Sequence, residues 1–251
     1  MTPPSPPRHQ VVLESARMLS PLVREMVFRV EGEQTLSWAP GQWVSLVLPL
    51  PEGPLPRAYS ISDAPDGTPR FPIAVTRVSG GPGSSYLHAI EPGARFECVG
   101  PQGFFTLEAP PGGPPRRASV FVATGTGVAP LRAMIRHAAA VEPDASSAVP
   151  LTLLFGVRHR EDVLWSDEWT ELARARGRAF TFEPTLSRPD PAWAGRSGYV
   201  QAHVAELVRP HVEEGVDVYV CGLKRMIDTV RSVLKNELGL SRQDIHTERY
   251  D

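Results

Sequence analysis

Residues 119–135, SVFVATGTGVAPLRAMI, limit the architecture more than any other stretch of the chain. The apolar run 120–123 is rich in β-branched and aromatic residues and stops abruptly, as a buried strand does. Gly125-Thr126-Gly127 follows, and Pro130 stands where the first turn of a helix accepts it. Val128, Leu131, Met134, Ile135 and Ala138 then recur at helical spacing and give one apolar face. Strand, glycine turn and helix is how a doubly wound sheet holds a dinucleotide. The glycines let the backbone approach a pyrophosphate, and the helix N-terminus offers free N–H groups and partial positive charge. The generic fingerprint is GxGxxG, and here proline replaces its third glycine. A tight turn in any α/β protein would satisfy this stretch equally well.

The residues after it continue in the same style. Strands are expected at 151–157, 180–185, 216–221 and 245–250, with helices at 200–208 and 223–238. A further helix is expected to open at Ser166 as N-cap, with Asp167 and Glu168 in its first turn, and to close at Gly177. Alternation of this kind predicts a parallel five-stranded sheet with helices on both faces. Its first and fourth strands then flank the switch point, so Gly125-Thr126-Gly127 and Cys221-Gly222 become two lips of one crevice.

The first half reads differently. Short strands at 11–13, 22–30, 43–48, 57–61, 71–78 and 96–100 are broken by Pro/Gly turns, which suggests an antiparallel barrel. The run 49–56 reads as a loop because its prolines lack ladder donors, and 84–90 as a short helix. Residues 109–117, APPGGPPRR, have no periodicity and mark a linker. The division is then a proline-rich lead 1–10, a barrel 11–108, the linker 109–117 and an α/β domain 118–251.

Within the barrel, alternation along one strand sends Arg57 and Tyr59 to one face and Ala58 and Ser60 to the other. A guanidinium beside an aromatic ring suits a flat, phosphorylated ligand. Downstream, Val75-Thr76-Arg77 leads into Gly80-Gly81-Pro82-Gly83-Ser84-Ser85, a backbone-rich phosphate cradle at a helix start. Each has a duller account: Arg57 as a surface ion pair, Tyr59 as core, Ser84 as a plain cap. Those accounts suffice for any one of them and lose ground when the residues are taken together, since both segments offer a partner for phosphate.

The motifs now stand in an order that resembles the ferredoxin–NADP⁺ reductase-like flavoproteins over nearly the whole chain. Arg57-x-Tyr59-Ser60 is similar to the family's flavin motif, and Gly81-x-x-Ser84 to its flavin-pyrophosphate motif. Gly100-Pro101-x-Gly103-x-Phe105 resembles the turn closing the barrel. Gly125-Thr126-Gly127-x-Ala129-Pro130 is similar to the nicotinamide-nucleotide loop, including the proline that spoils the generic fingerprint. Cys221-Gly222 and Glu248-x-Tyr250 resemble the pair beside the nicotinamide and the C-terminal acidic–aromatic pair; Asp251 after the aromatic is a departure from the family pattern.

The resemblance implies FAD in the barrel, NADPH or NADH in the second domain, and hydride transfer between them. By the same carry-over the catalytic set is Ser60, Cys221, Glu248 and Tyr250. FAD would be held by Arg57, Ala58, Tyr59, Ser60, Val75, Thr76, Arg77, Gly81, Gly83, Ser84 and Ser85. The nucleotide would be held by Thr124, Gly125, Thr126, Gly127, Pro130, Ser187, Arg188, Arg196, Tyr199, Cys221 and Gly222. Ser187-Arg188 would meet a 2′-phosphate and Tyr199 an adenine, which favours NADPH. The implied activity is an NAD(P)H-dependent flavin oxidoreductase.

Composition fixes what else is needed. The chain has two cysteines, Cys98 and Cys221, whereas a [2Fe–2S] centre takes four thiolates. Electrons are therefore expected to pass to a separate carrier: a ferredoxin, a flavodoxin or an oxygenase component. The alternatives are an NADH-linked reductase of an oxygenase and a non-catalytic flavin or nucleotide redox sensor. A net charge of −2 without like-charge blocks gives no reason to expect nucleic acid. No apolar run reaches membrane-spanning length and no signal-peptide core is present, so a cytoplasmic monomer without metal is expected.

Overall fold

The computed structural model describes residues 6–32, 36–109, 113–142 and 144–250. Residues 1–5 of the expected lead, 110–112 of the expected linker, and Asp251 lie outside the described residues.

The first half is built from β1 (Arg8–Ser20), β2 (Val23–Val30), β3 (Trp43–Leu50), β4 (Gly53–Ser60), β5 (Arg70–Thr76) and β6 (Arg95–Gln102). They form one antiparallel sheet in the order β4-β3-β6-β1-β2-β5. A bridge between Ile61, just after β4, and Ile73 in β5 joins the two ends, so the sheet closes on itself as the expected barrel. Phe28, Phe71 and Phe96 fill its centre, with Phe28 stacked on Phe71 at 5.7 Å and edge-on to Phe96 at 5.8 Å.

Two sequence expectations fail here for identifiable reasons. The strand expected at 11–13 runs from Arg8 to Ser20, because register shifts after Leu13 and after Met18 break its alternation. The loop expected at 49–56 is the end of β3 and the start of β4. Pro54 and Pro56 lie in β4, an edge strand of the ladder, where a missing N–H forfeits no partner.

Helix α1 (Pro82–Ala89) begins two residues earlier than expected, with Pro82 in its first turn. Arg24 of β2 collars its far end. One guanidinium nitrogen donates to the carbonyls of Leu87, His88 and Ile90 at 2.9, 3.0 and 2.8 Å.

The second half contains β7 (Ala118–Thr124), α2 (Val128–Val141), β8 (Leu151–Val157), α3 (Ser166–Arg176), β9 (Phe180–Leu186) and β10 (Arg196–Ser197). It continues through α4 (Val204–Val208), β11 (Val216–Gly222), α5 (Lys224–Asn236) and β12 (Ile245–Arg249). All its strands are parallel, in the order β10-β9-β8-β7-β11-β12. The sheet has six strands rather than five, because the two-residue β10 pairs with Thr185 and Leu186 and is too short to show a period. The helix expected at 200–208 is broken into 3₁₀ turns at Val200–Ala202 and Arg209–His211 around the short α4.

Ser166 is not the cap of α3. Trp165 takes that position with φ +54°, a left-handed conformation that costs a non-glycine on the order of 1–3 kcal/mol. The geometry brings the Trp165 indole N–H to the buried Glu25 carboxylate of β2 at 2.9 Å.

Buried Val23, Ala74 and Phe105 of the barrel half join Phe121, Leu131, Met134, Trp165 and Tyr219 in one apolar cluster. The two halves are thus welded by shared core. A second cluster lies across the parallel sheet, under α4 and α5.

Candidate active site

β7 and β11 are neighbours, with Ala123 opposite Cys221, so both turns that follow them open at one end of the sheet. Two glycines make that approach possible. A Cβ on Gly127 would lie 2.4 Å from the Cys221 carbonyl oxygen. A Cβ on Gly222, at φ +152°, would lie 2.3 Å from Thr124 Oγ1. The crevice expected at the switch point is therefore present, and its lips touch.

The barrel meets this crevice through Ser60, the last residue of β4. Ser60 Oγ donates to Glu248 Oε1 at 3.2 Å and accepts from the Tyr250 hydroxyl at 2.6 Å. The Tyr250 N–H is fixed to the Gly222 carbonyl at 3.1 Å. The four residues singled out as catalytic thus assemble from three segments that are far apart in sequence. A second polar link crosses nearby, Thr76 Oγ1 to Thr126 Oγ1 at 3.2 Å.

Burial governs the electrostatics of this seam. It pushes the Glu248 carboxyl up to about 7, against the Ser60 hydrogen bond, which acts the other way. Burial also raises the Cys221 thiol, helped by the Glu248 charge, and raises the Tyr250 phenol. Cys221 is fully buried, in surroundings that disfavour the thiolate a nucleophile needs. Thr124 Oγ1 is buried with no hydrogen-bond partner among the described residues.

On the barrel side, Tyr59 is half-buried against the barrel core, and burial pushes its phenol to about 12. Arg57 and Arg77 are exposed and meet no carboxylate among the described residues. Arg57 donates only to the Pro56 carbonyl, at 3.0 Å. Gly83, in the first turn of α1, lies against Leu48 and Arg57, where a Cβ would come within 3.2 and 3.4 Å of them. The Ser84 hydroxyl is engaged inside its own loop, accepting from the Val78 N–H and donating to the Gly81 carbonyl, both at 3.1 Å. The Ser85 N–H bonds the Gly81 carbonyl at 3.0 Å, which leaves the backbone amides of Gly83 and Ser84 as the donors at this helix end. Ala58 is exposed beside them, and Val75 lies in the barrel core with its carbonyl bonded to His88.

At the ends of β8 and β9 the expected nucleotide residues divide. Arg188 is exposed, and its backbone N–H bonds the Arg158 carbonyl at 2.9 Å. Neither guanidinium meets a carboxylate among the described residues. Tyr199 presents its ring to solvent at 67% exposure. Ser187 lies between them, its N–H bonded to the Val157 carbonyl. Arg196 is spent elsewhere: Glu183 at 2.7 Å and both oxygens of Glu206 at 2.8 Å surround it and raise its pKa. Arg158 was not singled out from sequence. The signal was its place directly after the apolar strand ending in Gly156-Val157, matching Ser187-Arg188 after the next strand.

Beyond Glu248, on the barrel side of β12, a cleft of about 810 Å³ opens between Trp43, Pro101, Phe104 and His246. Phe104 stands fully exposed on its lip.

A closed barrel joined at a hydrogen-bonded seam to a parallel sheet with a glycine-lined switch point is the architecture of a two-domain dinucleotide-dependent redox protein. Residues 10–107 match the family described as "Oxidoreductase FAD-binding domain", and residues 121–232 match "Oxidoreductase NAD-binding domain". The chain belongs to the ferredoxin–NADP⁺ reductase-like flavoproteins. It is 52% identical to ferredoxin–NADP reductase B of Sorangium cellulosum over 244 residues, 95% of this chain and 96% of that one. It is 28% identical to the toluate 1,2-dioxygenase electron transfer component of Pseudomonas putida, covering 96% of this chain and 67% of the relative. Against NADH-cytochrome b5 reductase 2 of Phaeosphaeria nodorum, at 27% identity, it spans 61% of the relative's length. The Amycolatopsis cytochrome P450 reductase GcoB superimposes with a TM-score of 0.80 at 26% identity, over 98% of this chain and 71% of that one. A Neisseria gonorrhoeae ferredoxin NADP⁺ reductase with bound FAD and NADP shares the fold, with a TM-score of 0.79 at 18% identity, over 96% and 98% of the two chains.

The chain is an NAD(P)H-dependent FAD oxidoreductase that passes electrons to a carrier. Its residues fit both groups. The Arg57 guanidinium, which meets no carboxylate among the described residues, lies against Gly83 in the first turn of α1, Tyr59 precedes Ser60 on β4, and an orphaned hydroxyl lies at the glycine crevice. No helix among the described residues is long and apolar enough to cross a membrane.

Proposed function

We propose that the chain oxidises NADPH and delivers the electrons one at a time to a small soluble carrier protein, a ferredoxin or a flavodoxin. Bound FAD supplies the conversion of a two-electron hydride donor into a source of single electrons. The protein's work is to hold two flat groups in register and keep water from between them. Tyr59 stacks on the planar part of the flavin, Ser60 hydrogen-bonds at its reacting edge, and Arg57 with the first turn of α1 holds its phosphates. Gly125–Gly127 and Pro130 cradle the nucleotide pyrophosphate at the start of α2. Cys221 packs against the nicotinamide, and Tyr250, held by Ser60, occupies the position the nicotinamide needs and swings aside for it. Ser187, Arg188 and Arg158 receive the 2′-phosphate while Tyr199 covers the adenine; Arg196 keeps β10 in place. The carrier approaches the cleft beside Glu248, where exposed Phe104 offers an aromatic contact.

The observation that carries this reading is the hydrogen-bonded set Ser60, Glu248 and Tyr250 across the domain seam, with Cys221 packed beside it. A protein that only bound the two nucleotides would need none of them. The test is anaerobic addition of NADPH, and separately NADH, to the purified yellow protein. Bleaching at lower NADPH than NADH, followed by recolouring when oxidised ferredoxin or flavodoxin is added, is expected. A spectrum that stays oxidised with both nucleotides overturns the assignment, and bleaching equally well with either overturns the choice of NADPH.

A further inference from the structure

Arg132 sits one helical turn into α2, on the stripe that helix buries, and is only 5% exposed. Its guanidinium reaches across the domain boundary. Nη1 donates to the Ser62 carbonyl at 2.7 Å and lies 3.3 Å from Asp63 Oδ2. Nε lies 3.0 Å from both oxygens of Glu168, and Nη2 donates to Glu168 Oε2 at 2.7 Å. The carbon at the centre of the guanidinium stands 4.8 Å from the Trp165 ring centre. Arg136, one turn further on, pairs with Asp63 Oδ1 at 2.6 Å and Glu168 Oε1 at 3.2 Å. Two cations and two carboxylates alternate, so the cluster is balanced in charge. Only Asp63 and Ser62 come from the barrel side, and Trp38 anchors the Asp63 carbonyl there through a 2.9 Å bond from its indole N–H.

We propose that Arg132 is a positioning residue for hydride transfer: one guanidinium fixes helix α2 to the chain that leaves Ser60, and so sets the separation of Ser60 from the glycine crevice. This rests on the reading of Ser60 and Gly125–Gly127 given above. The placement is the argument. Helix α2 begins at Val128, directly after the nucleotide loop, and Ser62 is two residues beyond Ser60, which is hydrogen-bonded to Tyr250 at the crevice. A rotation that carries Ser62 away from α2 breaks the Arg132–Ser62 bond. A plain stability device would not need this chemistry, since buried ion pairs contribute little more than apolar residues of the same shape. What they add is direction. Lysine cannot hold a carboxylate edge-on, a backbone carbonyl and an indole face together, because that needs the planar fork of donors.

The experiment compares wild type with Arg132→Met, Arg132→Lys and Asp63→Asn as FAD-loaded proteins of matched flavin content. The nucleotide-driven bleaching rate is read by stopped flow, and nucleotide affinity separately by titration. The domain separation is read by pulsed EPR between labels on Glu52→Cys and Arg178→Cys, both exposed sites. Arg132→Met is expected to slow bleaching about 10-fold to 100-fold, the range for a misplacement near 1 Å. Affinity should stay within about threefold, and the distance distribution should broaden. Arg132→Lys should recover little, and Asp63→Asn should show a smaller loss of the same kind. Should Arg132→Met fail to take up flavin, Asp63→Asn with the distance measurement decides the matter. Unchanged bleaching rates and an unbroadened distribution in a folded variant overturn the proposal, even if the melting temperature falls. If wild type itself does not bleach, the functional reading fails, while the distance measurement still judges the clamp.

Discussion

Two polar clusters cross between the domains, and they are built on opposite terms. At the clamp, Arg132, Arg136, Asp63 and Glu168 saturate one another, with charges balanced and donors spent. At the seam, Ser60, Glu248, Tyr250 and Cys221 share few hydrogen bonds, include one carboxyl pushed up to about 7 by burial, and adjoin the orphaned Thr124 hydroxyl. A saturated cluster has nothing to offer a ligand and holds its place. An under-satisfied one is ready to exchange its present partners for those a ligand brings. The difference separates holding from reacting within one interface.

The sharpest way to break the contrast is Ser60→Ala. It removes the hydroxyl that serves both Glu248 and Tyr250, and nucleotide-driven flavin reduction should fall about 100-fold in a stopped-flow trace. Flavin content should be retained, as Tyr59 and Arg57 are untouched.

Glu248→Gln tests the charge. Burial favours the neutral acid, so the folded protein keeps its proton over a pH range where the unfolded chain has lost it. Stability is then fully present below 4.5 and lost as pH rises through about 7. The Gln variant should become progressively more stable than wild type across that window in thermal melts. In the rate, on the placement proposed for the nicotinamide, the Glu248 carboxylate formed above 7 would favour the positive charge that the ring gains as it loses hydride. Wild-type turnover should therefore rise on the order of tenfold through pH 7, and the Gln variant should lack that limb.

The nucleotide end offers a smaller version of the same contrast, one arginine free and one saturated. Arg188→Ala should raise KM for NADPH about tenfold and leave NADH nearly unchanged, since a charge-assisted hydrogen bond contributes roughly 1.5–3 kcal/mol. Arg196, already held by Glu183 and Glu206, should behave otherwise: Arg196→Ala should alter KM for both nucleotides alike, by less than about twofold.

What the sequence disclosed follows from how local each feature is. The turn at Gly125–Gly127 is written in contiguous residues and was legible, as was the long α5 with its apolar stripe. β4 was half hidden because prolines 54 and 56 read as breakers, and only its edge position makes them tolerable. β10 has two residues and no period to detect. The seam could be listed residue by residue from a family pattern, but its hydrogen bonds and the raised carboxyl are products of burial and appear only in three dimensions. The clamp did leave a trace: Arg132 interrupts the apolar stripe Val128, Leu131, Ile135, and a lone cation there implies a buried partner. Its partners come from residues 62–63 and 168, and no spacing within α2 points to them. Trp165 in a left-handed conformation gave no signal at all, since the groups its indole meets, Glu25 of the opposite domain and Arg132 of α2, are distant in sequence.

Helix α1 is eight residues long, too brief to persist by itself, and Arg24 neutralises its negative pole by gathering three carbonyls onto one nitrogen. The opposite pole has no such counterweight. The short rod is therefore a one-sided electrode facing the cradle proposed for the flavin's diphosphate, and on that proposal replacing Arg24 should be felt there even though that side chain sits a full helix length away.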